Sequence, residues 1–541
     1  MKTSKLLSVK NLCISISKTP ILKNISFELN SNEILGFVGE SGSGKSITAF
    51  SIINLFNSKN IIKTGSINFD GKPIDSLSFI DFEKIRGNEI SIIFQEPMSS
   101  LNPSMKCGEQ VIEIILNHES ISTEKAKNRV IDLLKKVQLN DPEIVYNKYP
   151  HQLSGGQQQR IMIAMAISCN PKILIADEPT TSLDGIVKKG IISLLKSIQK
   201  ETKMSIIFIS HDLPLVSKIA KNIIVLNKGK IVETGTSNQI FKSPKKLYTK
   251  LLLNSRPPKN IRPKRLPTNE NNIAKPVLIS KQERIKTHAK IYQSNPILKV
   301  KNLEFSYNNN NKVLNDVSFD LYKGETLGLV GESGSGKSTI AKSILNLNDF
   351  NKGQILYKEN DIKKINKKDF RKNIQLIFQD PFSSLNPEIS IGYSIIEPML
   401  SHGIYGTKIE SKEKAMSLLE QVKLNKSDFN KFPHQFSGGQ RQRIVIARAL
   451  ALNPKILICD ESVSSLDVSI QAQVLNLLND LKETFFFTFL FISHDLSVVK
   501  YMSDRVIILN KGVIEESNET DHLFANPKKD YTKNLLLAND Y

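Results

Sequence analysis

The chain has no tryptophan, only four cysteines, and a shortage of acidic residues: 53 Asp and Glu against 74 Lys and Arg, a formal net charge of +21 over 541 residues. Cys13, Cys107, Cys169 and Cys459 are scattered without a CxxC pair. That excludes a cysteine-built zinc or cluster site and fits small buried side chains in a reducing compartment. No run of about 18 apolar residues occurs, so no segment reads as membrane-spanning. Met1-Lys2-Thr3-Ser4-Lys5 leads straight into a strand-like stretch, with neither an apolar signal segment nor a small-residue cleavage site; the expected location is the cytosol. The basic excess is dispersed among abundant Asn and Ile rather than gathered into a patch. It reads as compositional bias, and specific nucleic-acid binding is not expected. Absence of Trp removes no core, because 40% of residues are hydrophobic, and the length calls for several domains.

What the chain does have is a set of motifs written twice. Gly39-Glu40-Ser41-Gly42-Ser43-Gly44-Lys45-Ser46 returns as Gly331-Glu332-Ser333-Gly334-Ser335-Gly336-Lys337-Ser338. Leu153-Ser154-Gly155-Gly156-Gln157 returns as Phe436-Ser437-Gly438-Gly439-Gln440, Asp177-Glu178 as Asp460-Glu461, and His211 as His494. The interval from 157 to 440, from 177 to 460 and from 211 to 494 is the same, so the halves hold one register there. Between them Asn254–Pro296 carries Pro257, Pro258, Pro263, Pro267 and Pro276 with many Lys and Arg and little apolar periodicity. This predicts domains at 1–255 and 297–541 and a Pro/Lys-rich linker at 256–296. A flexible tether of about 40 residues reaches roughly 35 Å.

Each half alternates short apolar runs with helical patterns, the mark of a parallel α/β core. Residues 33–38, 172–176 and 205–209 read as buried strands in the first half, and 325–330, 455–459 and 489–493 in the second; 45–56 reads as the helix after the glycine-rich turn. Polar functional residues follow the strand ends, where open α/β sheets bind ligands.

The strand–GxxxxGK[ST]–helix element is a P-loop. Its glycines let backbone N–H groups turn around phosphates, and the helix N-terminus adds partial positive charge. Lys45 and Lys337 are expected at the β/γ-phosphates of ATP, and the hydroxyls of Ser46 and Ser338 on Mg²⁺. Asp177 and Asp460, ending apolar strands, suit carboxylates that orient Mg²⁺. Glu178 and Glu461 stand where a base activates or positions the attacking water.

Leu153–Gln157 and Phe436–Gln440 resemble the signature sequence of ATP-binding cassette (ABC) ATPases, and the likeness covers nearly the whole chain outside the linker. The resemblance implies two tandem ABC-type P-loop NTPase domains, each a RecA-like parallel-sheet core with an antiparallel β subdomain and a helical signature subdomain. It makes Gln95 and Gln379 the Q-loop glutamines, catalytic and Mg²⁺-ligating, and His211 and His494 the switch histidines at the γ-phosphate. Asp184 and Asp467 end the Ser-Leu-Asp of the D-loops. It further implies an intramolecular cassette dimer in which Lys45 with Ser437–Gln440 forms one ATP site, and Lys337 with Ser154–Gln157 the other. Tyr307 stands where the family stacks an aromatic ring on adenine, while the matching first-half position is Ile16. Ile47 against Thr339, and Ser462 in place of the usual Pro, are further departures; none removes a P-loop Lys, a catalytic Glu or a switch His.

Met98–Pro103 and Phe382–Pro387 after the Q-loops, Tyr149-Pro150-His151-Gln152 and Phe432-Pro433-His434-Gln435 before the signatures, and the Tyr248-Thr249 and Tyr531-Thr532 endings are similar to ATPases of oligopeptide and dipeptide importers. The tandem arrangement, Arg86-Gly87-Asn88 and Asp530-Tyr531-Thr532 are most similar to the fused ATPase of microcin C-type peptide importers. The usual His-Pro before Tyr-Thr is absent at both endings, and the cysteines that carry an iron–sulfur cluster in some relatives have no counterpart. Partners implied by the resemblance are two membrane permease subunits and an extracytoplasmic substrate-binding protein, with the chain peripheral on the cytoplasmic face of the inner membrane. Segments after Gln95 and Gln379 are expected to receive the permeases' coupling helices. A tandem-cassette translation factor would carry a longer charged helical linker, and a DNA-repair ATPase of this family would carry zinc cysteines.

Overall fold

A computed structural model describes residues 4–56, 60–181, 183–269, 276–307, 312–405, 407–464 and 466–538. Ser182 and Ser465 of the Ser-Leu-Asp triplets, and residues 270–275 of the inter-repeat stretch, lie outside the described residues. The chain divides into two compact units, one ending at Leu253 and the next starting at Asn254.

In chain order the strands of the first unit are β1 (Lys5–Ile16), β2 (Thr19–Asn30), β3 (Ile34–Val38), β4 (Ile61–Phe69), β5 (Lys72–Pro73), β6 (Ile90–Ile93), β7 (Ile173–Asp177), β8 (Ser205–Ser210), β9 (Asn222–Asn227) and β10 (Lys230–Thr236). Alternating burial along β1 and β2 gives them one covered face, and they form an antiparallel sheet in the order β2-β1-β4-β5. Strands β7 and β8 are buried throughout, as central parallel strands covered on both faces must be. They sit in a six-stranded sheet of order β10-β9-β3-β8-β7-β6. One face packs with β1 and β2 around Phe37, Ile175 and Ile207; the other packs with the helices Cys107–His118, Thr123–Lys136 and Gly155–Ile167 around Ala176, Phe208 and Val111.

The second unit repeats the plan. Its antiparallel sheet runs Lys312–Tyr322, Pro296–Ser306, Lys352–Tyr357, Asn360–Asp361, and its core sheet runs Ile374–Ile377, Ile456–Asp460, Thr488–Ile492, Thr326–Val330, Arg505–Asn510, Val513–Glu519. The helix after the first P-loop spans Lys45–Ile52 and stops short of Phe56, because Asn54 takes a left-handed φ of 48° and Leu55 N–H closes back on the Phe50 carbonyl.

The Pro-rich stretch is more ordered than a tether needs. Pro263 bridges Leu278, and Lys281–Tyr292 is a helix started by a Ser280–Glu283 capping box. Leu266, Arg284 and Ile291 are buried within the second unit.

Candidate functional site

Strands β3, β7 and β8 lie side by side, so the loops leaving their carboxyl ends converge. The first brings the P-loop, the second Asp177 and Glu178, the third His211. At the turn into the Lys45 helix, Gly44 caps with φ 104°, and Gly336 does the same with φ 106°, a conformation closed to residues with a Cβ. The Lys45 ammonium donates to the Gly39 and Glu40 carbonyls at 2.7 and 2.8 Å; Lys337 donates to those of Gly331 and Glu332 at 2.9 and 2.8 Å. Lys45 Nζ also lies 4.0 Å from Glu178 Oε1.

Three expected site residues meet on one carboxylate oxygen. Glu178 Oε2 accepts from Gln95 Nε2 at 3.3 Å and stands 3.0 Å from His211 Nδ1. In the second unit Glu461 Oε2 accepts from Gln379 Nε2 at 2.9 Å and stands 3.2 Å from His494 Nδ1. Burial opposes ionisation of Glu178, but the His211 hydrogen bond and charge, the Lys45 ammonium and the Thr181 hydroxyl outweigh it and draw the carboxyl down to about 2. Glu461 is lowered in the same way, His494 and Lys337 overcoming burial. For His211, burial pulls down and Glu178 pulls up more strongly.

Three features of this site had no sequence signal strong enough to find them. Both glutamates hold left-handed backbone, φ 48° at Glu178 and at Glu461, a non-glycine conformation that costs on the order of 1–3 kcal/mol and persists only where surroundings impose it. Here the amides are tied to the neighbouring strand, Glu178 N to Ile209 O at 3.0 Å and Glu461 N to Ile492 O at 2.9 Å. Thr181 is the second: its hydroxyl donates to Glu178 Oε2 at 2.8 Å, whereas Ser464, at the matching position, donates to the Glu461 backbone oxygen. Tyr248 adds a third, accepting the Glu40 N–H at 3.3 Å from a buried ring.

Asp177 and Asp460 sit beneath the P-loop hydroxyls. Ser338 Oγ donates to Asp460 Oδ1 at 3.2 Å. Burial pushes the Asp177 carboxyl up to about 6 against the Ser46 hydrogen bond and the Lys45 charge, and raises Asp460 likewise. The donor set fits Mg²⁺, which takes hard oxygen ligands and relies on water and substrate phosphates for the rest. Asp177 Oδ1 is buried without a hydrogen-bond partner, and among the described residues no group of three or more His, Cys, Asp and Glu side chains gathers to hold a metal alone. Ser46, Asp177 and Gln95 would hold the ion in the first unit, and Ser338, Asp460 and Gln379 in the second.

Ser154 and Gln157 form a capping box at the start of the helix Gly155–Ile167, and Ser437 and Gln440 at the start of Gly438–Leu450. The two glycines of each signature have different reasons to be glycine. A Cβ on Gly156 or Gly439 would come within 2.7 Å of Val187 or 2.1 Å of Ile470, side chains of the D-loop helices Gly185–Thr202 and Val468–Phe485. At Gly438 a Cβ would meet nothing within 4 Å, which leaves that backbone open to approach. Tyr307 is exposed, its ring edge-on to Phe305 at 4.8 Å. Ile14 pairs with Leu22 as Phe305 pairs with Leu314, so Ile16 holds the register position of Tyr307.

A family model described as ABC transporter matches residues 22–181 and 314–464, and one described as the C-terminal region of oligopeptide/dipeptide transporters matches residues 232–281. The chain is similar to the glutathione import ATP-binding protein GsiA of Escherichia coli (strain K12), 41% identical over 99% of this chain and 90% of that one. GsiA of Pectobacterium atrosepticum is 40% identical over 99% of this chain and 89% of its own length. Among solved structures it is similar to cbiO1 from Clostridium perfringens, described as part of the ABC transporter complex cbiONQ, at a TM-score of 0.40 and 30% identity over 44% of this chain and 91% of that one.

Proposed function

Because the chain belongs to the ABC transporter family, as an ATP-binding protein of the oligopeptide/dipeptide import type, we propose that its two cassettes clamp ATP reciprocally and spend the closure on importing small peptides through separate permease subunits. ATP hydrolysis coupled to transport is its activity. The observation that carries the reading is the doubled cluster of Gln, Glu and His on one carboxylate oxygen, each beside its own P-loop lysine.

In this scheme the P-loop amides and Lys45 hold the triphosphate, and the open N-terminus at Ser437-Gly438 caps it from the other cassette; Lys337 and Ser154-Gly155 make the mirror site. Ser46, Asp177 and Gln95 in one site, and Ser338, Asp460 and Gln379 in the other, would hold Mg²⁺, which would supply charge neutralisation for the phosphates. A carboxylate held near 2 is a weak proton acceptor, so Glu178 orients water while His211 grips it. When the γ-phosphate recruits His211, the carboxylate loses its strongest partner and gains basicity, which couples chemistry to closure.

Among the described residues no helix is long and apolar enough to cross a membrane, and the pathway is assigned to partner permeases, with the chain peripheral at the cytoplasmic membrane face. Phe94, Met98, Phe378 and Phe382 expose apolar surface beside the two Q-loops, which supports docking of permease coupling helices there. Reversing the exposed Glu96 to Lys is expected to cut peptide uptake in reconstituted vesicles about tenfold, with detergent ATPase nearly native, as loss of an interfacial charge contact does. Equal loss of both would refute the docking assignment.

Cargo is the finer step. The microcin C-type resemblance and the glutathione import stated for the relatives share a small peptide-like solute, and we assign that class. Uptake assays with glutathione and with a short linear peptide in parallel separate the two; transport of neither would reject it. The two ATP sites are also expected to differ. Azido-adenine photolabelling should be stronger at the second P-loop, since an aromatic face adds about 0.5–1.5 kcal/mol over aliphatic contact. Equal labelling of both P-loops, or no change on Tyr307→Ala, retires that asymmetry.

A further inference from the structure

The stretch between the cassettes is pinned to the two helices that leave active-site loops of the second cassette. One is Leu496–Met502, which starts just after His494. Arg262, its side chain only 13% exposed, donates to the backbone oxygens of Lys500 and Ser503 at the far end of that helix, the latter at 3.2 Å. Lys500 Nζ donates to the Lys259 carbonyl at 2.6 Å, and the Tyr501 hydroxyl donates to that of Lys264 at 3.2 Å. The other helix is Val468–Phe485, which follows Asp467. Midway along it, the buried Asn476 side chain accepts from Leu266 N–H at 2.9 Å and donates to Leu266 O at 2.8 Å, as a neighbouring strand would.

Charge selects this cassette. Arg284, nearly buried, pairs with Glu519 at 2.6 Å and with Asp521, and Arg265 pairs with Asp480 at 2.7 Å. At the interval that carries His211 onto His494, the first cassette holds Ser193 for Asn476, Ser197 for Asp480, Thr236 for Glu519 and Asn238 for Asp521. The side chains that receive Leu266, Arg265 and Arg284 therefore exist on one repeat and are replaced on the other, although the nucleotide-site motifs are the same in both.

We propose that Arg262 and Asn476 are positioning residues for the second hydrolytic site: by holding residues 259–266 against the two helices, they keep His494 in register with Glu461, so turnover depends on the stretch being docked. The inference rests on reading Glu461 and His494 as hydrolytic residues. Leu496–Met502 is a short rigid rod, held by the stretch at its far end and carrying His494 just ahead of its start. The 3.2 Å contact between His494 and Glu461 leaves little slack before a hydrogen bond is lost.

The test uses the full chain with the triple change Asn476→Ser, Glu519→Thr and Asp521→Asn, each a residue the first cassette already carries at the matching position. Arg262→Lys is the second variant, keeping the charge while losing the planar fork that serves two carbonyls. We expect faster tryptic cleavage in the stretch, kcat down about tenfold in the triple variant and less in Arg262→Lys, and KM for ATP within about twofold, the pattern of a mispositioned catalytic group rather than a lost binding one. Native kcat in a triple variant whose stretch is rapidly cleaved would overturn the inference. So would kcat, ATP affinity and Tm falling together, which marks a structural brace alone. Neither result touches the ATPase reading, which stands or falls on the Glu178 and Glu461 variants assayed beside these.

Discussion

Glu178→Gln combined with Glu461→Gln slows ATP turnover by roughly 10²–10⁴-fold while nucleotide binding stays near native, the loss expected when a general base or water-orienting carboxylate goes neutral. Glutamine keeps the shape and still accepts from Gln95 and Gln379, so the strained backbone has no new reason to move. What it loses is the charge facing Lys45 at 4.0 Å and His211 at 3.0 Å. Phosphate release alongside equilibrium binding of a fluorescent nucleotide measures both halves of the claim, and near-native hydrolysis contradicts it. The same carboxylate has a stability signature. Its folded-state value near 2 lies below the ordinary 4.5, so its contribution is fully present above about pH 4.5 and is lost as pH falls toward 2. Glu178→Gln should therefore flatten the acid limb of the first cassette's unfolding curve in that window. An unchanged limb would show that the His211 and Lys45 contacts add nothing to folding.

Lys45→Ala and Lys337→Ala carry the second large effect. Each ammonium is almost wholly buried and tied to two loop carbonyls, so it is held in place inside the loop proposed to receive the phosphates. Removing a buried charge partner typically costs about 3–5 kcal/mol, which is on the order of a hundredfold or more in ATP affinity at that site. The reciprocal arrangement sharpens the expectation. In the reciprocal clamp we propose, Lys45→Ala and Ser437→Ala fall on one site and should be strongly non-additive, whereas Lys45→Ala and Ser154→Ala fall on different sites and should add within about 0.5 kcal/mol. Titrations of ATP binding to the four single and the paired variants give the cycles directly. Coupling of Lys45 to Ser154 instead of Ser437 would mean that each cassette closes on itself.

Much of the fold was legible in the sequence, because its motifs sit where chain geometry is most constrained. The buried strands at 34–38, 173–177 and 205–210 fall within a residue of their apolar runs, since a parallel strand covered on both faces has no polar position to blur its limits. Duplication supplied the rest: a P-loop written twice, followed each time by a signature, an Asp-Glu and a His that share one repeated interval, leaves little room for accident. The helix after Lys45 ends short of Phe56 because Asn54 and Leu55, both compatible with a helix, instead form a left-handed turn that closes on the Phe50 carbonyl.

The stretch after Asn254 shows the limit of periodicity arguments. Its apolar residues follow neither a helical nor a strand repeat, and five prolines suggested an open tether. Instead its docking is carried by arginines and by backbone groups of Lys259, Lys264 and Leu266, partners that no hydrophobic pattern records. The signal available was a comparison of the repeats with each other, through acidic residues gained only on the second. Thr181 and the left-handed φ of Glu178 and Glu461 were equally silent: the φ goes with where Ile209 and Ile492 place a neighbouring carbonyl, and the Thr181 contact with the turn that brings its hydroxyl back onto Glu178.

The most direct measurement of the account is a structure of the Glu178→Gln/Glu461→Gln chain with ATP and Mg²⁺ bound. The account predicts two triphosphates, one between Lys45 and Ser437–Gln440 and the other between Lys337 and Ser154–Gln157. A triphosphate held by its P-loop alone, or capped by the signature of its own cassette, would contradict it.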